Sequence, residues 1–266
     1  MGCPMMKHPA LVRAASIAVT VLLAVSTGFF LFYEGEAVPA MTHPARFTGS
    51  TVVIDAGHGG EDGGAVSPAG HVESQVNLAV AQRLDAILGL YVADVVMLRT
   101  EDVSLHDPEA QTLKEKKNSD LHNRVARIEA VPGATLISIH QNTYSGSARY
   151  HGAQVFYADE ASSLGLAQHT QELLRQALDP ENSRQAARLP NTVYLMNHIS
   201  CRAILVECGF LSNPEEDALL QTGSYQTKIA AALASAYLSY QEPENDQEGE
   251  RALESQDRLL LYGVRK

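Results

Sequence analysis

The sequence predicts an α/β fold built as a single domain, and three observations point to it. From Thr51 onward, short β-branched runs alternate with longer amphipathic stretches, the pattern of a sheet layered with helices. Within those stretches apolar residues recur at helical spacing, as in Val76, Val80, Leu84 and Ile87. The chain has 266 residues, 45% of them hydrophobic and 19% charged, enough for one sizeable core with terminal extensions. No internal repeat is visible.

Taken in order, strands are expected at 51–55, 92–99, 134–140, 153–157 and 203–207, with a weaker one at 192–196. The stretches 73–89, 118–130, 160–178 and 224–240 should form helices covering both faces of one sheet. Before them, Lys7, His8 and Arg13 precede an uncharged apolar run from Ala14 to Tyr33. About 20 helical residues span the hydrocarbon core of a bilayer, and a basic flank stays on the cytoplasmic side. Residues 1–40 are therefore expected to be a signal peptide or a membrane anchor that places the rest of the chain outside the cytoplasm. The small residues of Val38-Pro39-Ala40 fit cleavage, whereas the length of the run favours the anchor. A buried core helix fits less well, since no polar face interrupts the run. Residues 41–50 read as a linker. After Tyr240 the acidic segment QEPENDQEGE reads as a solvated tail or linker, followed by a short extension ending at residue 266.

Charge and cysteine content exclude several functions. With 20 Lys and Arg against 31 Asp and Glu, the net charge of −11 repels phosphate backbones, so no nucleic-acid partner is expected. Cys3, Cys201 and Cys208 are too few and too irregular for a disulfide framework or a zinc ribbon. They are expected simply to pack. Cys3 also precedes the apolar run, which argues against lipid processing there.

Four side chains stand at or just beyond strand ends, where α/β enzymes assemble their sites. His58 lies in D-A-G-H-G-G after the first strand, with glycines on both sides that let the backbone turn. Glu73 opens a helix, where the helix dipole favours a carboxylate. His140 ends ATLISIH, and Glu207 stands in AILVEC, whose interior carries no other ionisable group. Singly, His58 reads as a loop histidine, Glu73 as a helix-start charge and His140 as a satisfied core histidine. Glu207 is harder to dismiss, because an unpaired carboxylate at the end of a buried strand is costly. Together, two histidines and a carboxylate make a familiar ligand set for catalytic zinc with one position open, leaving Glu207 as general base.

These residues also carry a family resemblance. VVIDAGHGGEDGGA, then ESQVN at 73–77, SIHQN at 138–142 and VECGFLSN at 206–213 resemble the zinc-dependent N-acetylmuramoyl-L-alanine amidases of type 3, from about residue 51 to 240. The resemblance implies a twisted mixed, mainly parallel sheet of about six strands flanked by helices. It implies one Zn2+ per chain held by His58, Glu73 and His140, with Glu207 catalytic. The implied substrate is peptidoglycan, cut between N-acetylmuramic acid and L-alanine. KEKKNSDLHNRV at 114–125, HGAQVFY at 151–157 and the N-terminus are similar to the sporulation and germination subgroup, which implies a role in spore cortex maturation. Gln141 departs from the small residue many members carry there, and 118–124 is only similar to the subgroup.

Among the remaining residues, Asn142 is a candidate substrate contact. Asp55 is expected to orient a ligand histidine or brace its loop, and Arg124 to serve packing or a salt bridge. His71 and His151 fit loop or cleft positions equally well, while His106, His122, His169 and His198 are expected at the surface. Two competing readings remain at this point. One is another zinc hydrolase of the wall polymer, a carboxypeptidase or deacetylase; the other is a non-catalytic wall-binding module, whose sign would be a missing ligand or a missing Glu207. The stretch 158–191 holds one helix and a loop, with no room for a long inhibitory insertion, and an activating protein partner stays open.

Overall fold

The computed structural model describes residues 51–91, 94–190 and 193–240. Its elements run β1 (Val52–Ala56), α1 (Glu73–Gly89), β2 (Val95–Met97), α2 (Leu113–Glu129), β3 (Thr135–Asn142), β4 (Gln154–Tyr157), α3 (Glu160–Leu178), β5 (Ala187–Arg188), α4 (Tyr194–Asn197), β6 (Arg202–Phe210), α5 (Pro214–Leu220) and α6 (Gly223–Ser239). The six strands form one sheet in the order β2-β1-β3-β6-β4-β5. The first four run parallel, β4 lies antiparallel to β6, and β5 is parallel to β4. The expected mixed, mainly parallel α/β sheet is therefore observed.

Strand alternation divides the core. Val52, Ile54, Ile137, Ile139, Ile204 and Val206 point to one face and pack against buried residues of α1, α3 and α6, among them Val80, Leu84, Leu166, Leu174, Ile229 and Leu233. Val53, Leu136, Ala203 and Leu205 point to the other, against Ile128 of α2 and Leu195 and Met196 of α4. This burial on both faces explains the near-continuous apolar runs. Further along the second face the apolar series ends and Asp55, Ser138, His140 and Glu207 follow, so the sheet turns polar at the carboxyl ends of β1, β3 and β6. The polar end lies where β1 sends its chain one way to β2 while β3 lies on its other side. Such a topological switch point is where open α/β sheets bind ligands.

Several boundaries differ from expectation. No strand forms at 193–196, and residue 192 lies outside the described residues. A turn closed by Val193 N on Pro190 O leads into the one-turn α4, which buries Leu195 and Met196. The sixth strand is instead the two-residue β5. Helix α2 begins at Leu113 rather than near 118, because Thr112 and Glu115 form a reciprocal capping box. Helix α5 was not expected, although Asn213 caps it by accepting from the Glu215 and Glu216 amides and Pro214 occupies its first turn. β2 is shorter than the run 92–99, of which 92 and 93 lie outside the described residues. The expected N-terminal signal or anchor, the 41–50 linker and the 241–266 tail also lie outside them. Among the described residues no helix is long and apolar enough to cross a membrane.

Candidate metal centre

β1 delivers the chain into a glycine-rich turn. The amide of Gly57 extends the ladder to Ile139 O at 3.0 Å. A Cβ at Gly57 would lie 2.2 Å from His140 Cε1, so only glycine lets the imidazole settle there. His58 itself is left-handed, with φ of 62°, a conformation that costs a non-glycine residue energy unless its surroundings hold it. They do. Arg124 Nη2 donates to His58 O at 2.7 Å, Arg99 Nη2 to Gly57 O at 3.1 Å, and Gly59 N to Asp62 O at 2.8 Å.

Glu73, the first residue of α1, is only 4% exposed. Its Oε2 accepts from Ala65 N at 2.8 Å and its Oε1 from Gln141 N at 3.1 Å. The same Oε1 lies 3.0 Å from His140 Nδ1 and 3.5 Å from His58 Nε2. Burial pushes the Glu73 carboxyl up, but His140, His58 and the Ala65 amide outweigh it and bring it down to about 2. In His140, burial works against the charged ring, and Glu73 and Glu207 overcome it, raising its pKa. One ligand atom from each of His58, Glu73 and His140 lies within 4.8 Å of the other two, and the imidazoles stand edge to face with centroids 5.0 Å apart. Two imidazoles and a carboxylate converging on one point suit a transition-metal ion of zinc's preferences. The three residues singled out from the sequence are thus brought together from the turn after β1, the start of α1 and β3.

Glu207 is the register partner of His140 on the adjacent parallel strand. Its Oε2 is sealed from solvent and has no hydrogen-bond partner among the described residues. Burial, reinforced by Glu73, pushes its carboxyl up to about 7 against the opposing pull of His140 and His58. A cleft of about 250 Å³ opens beside it, lined by Gly57, His58, His140 and Glu207 from the strand ends and by Lys117, Arg124, Tyr194 and Leu195 from the helices. A side chamber of about 140 Å³ adjoins it through His58, Asp62, Lys117 and Asp120.

Asp55 braces the loop rather than a histidine: its carboxylate takes the Arg124 guanidinium and the Ser138 hydroxyl, the latter at 2.7 Å. Arg124, 2% exposed, also binds Asp120 at 2.7 Å and Ala56 O at 3.1 Å, the salt-bridge role expected of it. Asp62 was missed. Its Oδ2 lies 3.1 Å from His58 Nδ1 and 3.3 Å from Lys117 Nζ, the carboxylate-to-imidazole contact that orients metal-binding histidines. Contact with the His58 ring holds the Asp62 carboxyl far below its ordinary range. Only its place four residues after His58 hinted at this, and the turn that folds it back was not legible.

Asn142 closes β3 with its side-chain oxygen on Thr143 N at 2.8 Å, and it does not line the cleft. His71 pairs with Asp217 at 2.9 Å and His151 with Asp179 at 2.9 Å, both away from the centre. His106, His122, His169 and His198 bond to neighbouring groups. His122 and His198 are exposed, whereas His106 and His169 are half-buried. Cys208 is buried and Cys201 half-buried, both free thiols, while Cys3 lies outside the described residues.

Comparison with known proteins bears on this arrangement. The Amidase_3 family, described as N-acetylmuramoyl-L-alanine amidase, matches residues 52–238. The germination-specific N-acetylmuramoyl-L-alanine amidase of Bacillus subtilis strain 168 is 36% identical over 194 residues, covering 73% of this chain and 80% of that protein. Among solved structures, the CwlD amidase of Clostridioides difficile in complex with the GerS lipoprotein superposes with a TM-score of 0.68 at 35% identity, covering 70% of this chain and 95% of that one. The amidase AmiC2 of Nostoc punctiforme superposes with a TM-score of 0.60 at 29% identity, covering 71% and 96%. With this match spanning the whole sheet and both histidines of the donor set, the chain belongs to the Amidase_3 family and is an N-acetylmuramoyl-L-alanine amidase of peptidoglycan.

Proposed function

We propose that this amidase works with one zinc ion held by His58, Glu73 and His140, that Glu207 is its acid-base residue, and that it acts outside the cytoplasm in spore cortex maturation. The observation that carries the zinc reading is the convergence of the three donors within 4.8 Å, beside a carboxylate oxygen with no hydrogen-bond partner among the described residues. When bound, zinc supplies Lewis acidity, polarising the scissile carbonyl and acidifying water. The chain's residues supply the rest. Glu73 orders both imidazoles, Asp62 fixes the His58 ring, and the cleft admits the lactyl amide beside Glu207. Glu207 takes a proton from the attacking water and returns it to the departing alanine nitrogen. Asn142, two residues beyond His140, is proposed as a contact for the substrate at the rim.

Spore cortex work is supported by the likeness to a germination-specific amidase. Export by residues 1–40, a linker at 41–50, a catalytic domain at 51–240 and a tail at 241–266 are the organisation we propose; the family match over 52–238 supports the central boundary. CwlD forms a complex with a lipoprotein, which supports a protein partner for this chain too.

The test is mass spectrometry of purified peptidoglycan digested with the chain, with chelator-treated and zinc-restored samples alongside. Stem peptides beginning with L-alanine should appear only with metal. Glu207→Gln should keep its zinc and lose about 10²-fold or more in turnover, whereas His140→Ala should lose the zinc. Full turnover by Glu207→Gln would remove it from the proposed role, and altered peptide ends or acetyl groups would identify a carboxypeptidase or deacetylase instead.

A further inference from the structure

Beyond the donor set, the same end of the sheet carries an aromatic strip to which no role has been given. Tyr144 and Tyr150 are 49% and 47% exposed, and their rings meet edge to face with centroids 4.7 Å apart. Behind them lies buried Phe210, 6.2 Å from the Tyr150 ring, with the Arg184 guanidinium 4.8 Å from its centroid. Arg184 also donates to Gln154 Oε1 at 3.2 Å, and Gln154 is the register partner of Glu207. Contacts thus run from the exposed tyrosines to Gln154, which lies opposite Glu207 across the β4–β6 ladder. Tyr144 is anchored through its amide on Ser212 Oγ at 3.0 Å, and a Cβ at Gly146 would sit 2.7 Å from its ring. The rings are seated, not loose.

Position names the occupant. Tyr144 stands four residues after His140 and Phe210 three after Glu207, so at roughly 3.3 Å per residue the strip begins within about 13 Å of the donor set. The scissile amide hangs from a muramic acid within a glycan strand. Once that amide reaches the cleft, the neighbouring sugars must lie across the rim. Two half-exposed rings held together offer flat apolar faces with polar tips, and such faces suit the C–H faces of uncharged N-acetyl sugars. The chain's net charge of −11 makes a neutral sugar a better fit than an acidic peptide.

We propose that Tyr144 and Tyr150 form a sugar-binding subsite that holds the glycan strand beside the residue being cut. It rests on the reading of His58, Glu73, His140 and Glu207 as the reaction centre.

The test compares intact peptidoglycan strands with the same material reduced to disaccharide-peptides by a muramidase. For Tyr144→Ala/Tyr150→Ala we expect KM on strands to rise about fivefold to tenfold, with kcat unchanged and no effect on disaccharide-peptides. Tyr144→Phe/Tyr150→Phe should behave as the unaltered chain, because the ring faces remain. Equal loss on both substrates, or no loss on strands, would overturn the subsite. So would an unchanged KM accompanied by lost binding of a protein partner, which would make the strip a protein-docking surface. Co-sedimentation of Glu207→Gln chains with chitin, an uncharged polymer of N-acetyl sugar, reads the tyrosines without turnover. If the unaltered chain cuts neither substrate yet the tyrosine variants lose sedimentation, the reaction centre is misread and the subsite stands.

Discussion

Glu207 pays for its position in stability. Burial lifts its carboxyl from an ordinary value of 4.5 to about 7, so the folded chain retains a proton that the unfolded chain releases between those pH values. A raised carboxylate therefore lowers stability as pH climbs from 4.5 to 7, by on the order of 3 kcal/mol once both states are ionised. In chelator-treated protein, Glu207→Gln should melt higher than the unaltered chain at pH 8, and the gain should shrink towards pH 5. A gain independent of pH would show that the carboxylate is not held out of water. The oddity was legible beforehand, since one acid interrupts an apolar strand. Asp62 was not, because GHGGED reads as an ordinary polar turn until the left-handed His58 and the Gly59–Asp62 bridge fold the carboxylate back onto the ring. For Asp55 the two expected roles could be told apart only in three dimensions. Its sequence neighbour is His58, but its spatial neighbours are Arg124 and Ser138.

At the scale of elements, α2 links the surface to the centre. Its capping box lies at Thr112 and Glu115, and Arg124, three turns on, ties Asp55, Ala56 and His58 together. Thr112→Ala should cost about 1 kcal/mol in chemical denaturation while leaving metal affinity intact, since the cap touches no ligand. A matching fall in zinc affinity would show that the helix start and the centre move together. The box was present in the sequence, yet the apolar spacing that locates a helix is weak in LKEKK, and the start was placed too late. Residues 192–196 failed for the opposite reason. So few apolar residues suit a strand or a single helical turn equally well, and the turn at Pro190 decided for the helix.

Across the whole molecule, the turn after β1, the start of α1 and β3 each offer one ligand atom, so the proposed ion would tie three parts of the fold together. Zinc at about 100 times its dissociation constant should stabilise the protein by about 2.7 kcal/mol, a rise of roughly 5 to 10 °C in melting temperature for a domain of this size. His140→Ala should show no such rise. An equal rise in that variant would place the ion elsewhere.

What the sequence determined by itself was the α/β layering, the positions of α1 and α3, and the choice of His58, Glu73, His140 and Glu207 as the candidates that the fold brings to one end of the sheet. These depend on local periodicity and on acids or imidazoles at the ends of apolar strands, and both are written along the chain. Tertiary structure alone decided that Glu73 bridges two histidines, that Asp62 rather than Asp55 holds an imidazole, and that Tyr144, Tyr150 and Phe210 come together in one strip. Those relations join residues distant in sequence through sheet register and left-handed turns, and register is fixed by packing across the whole sheet, which no local window contains.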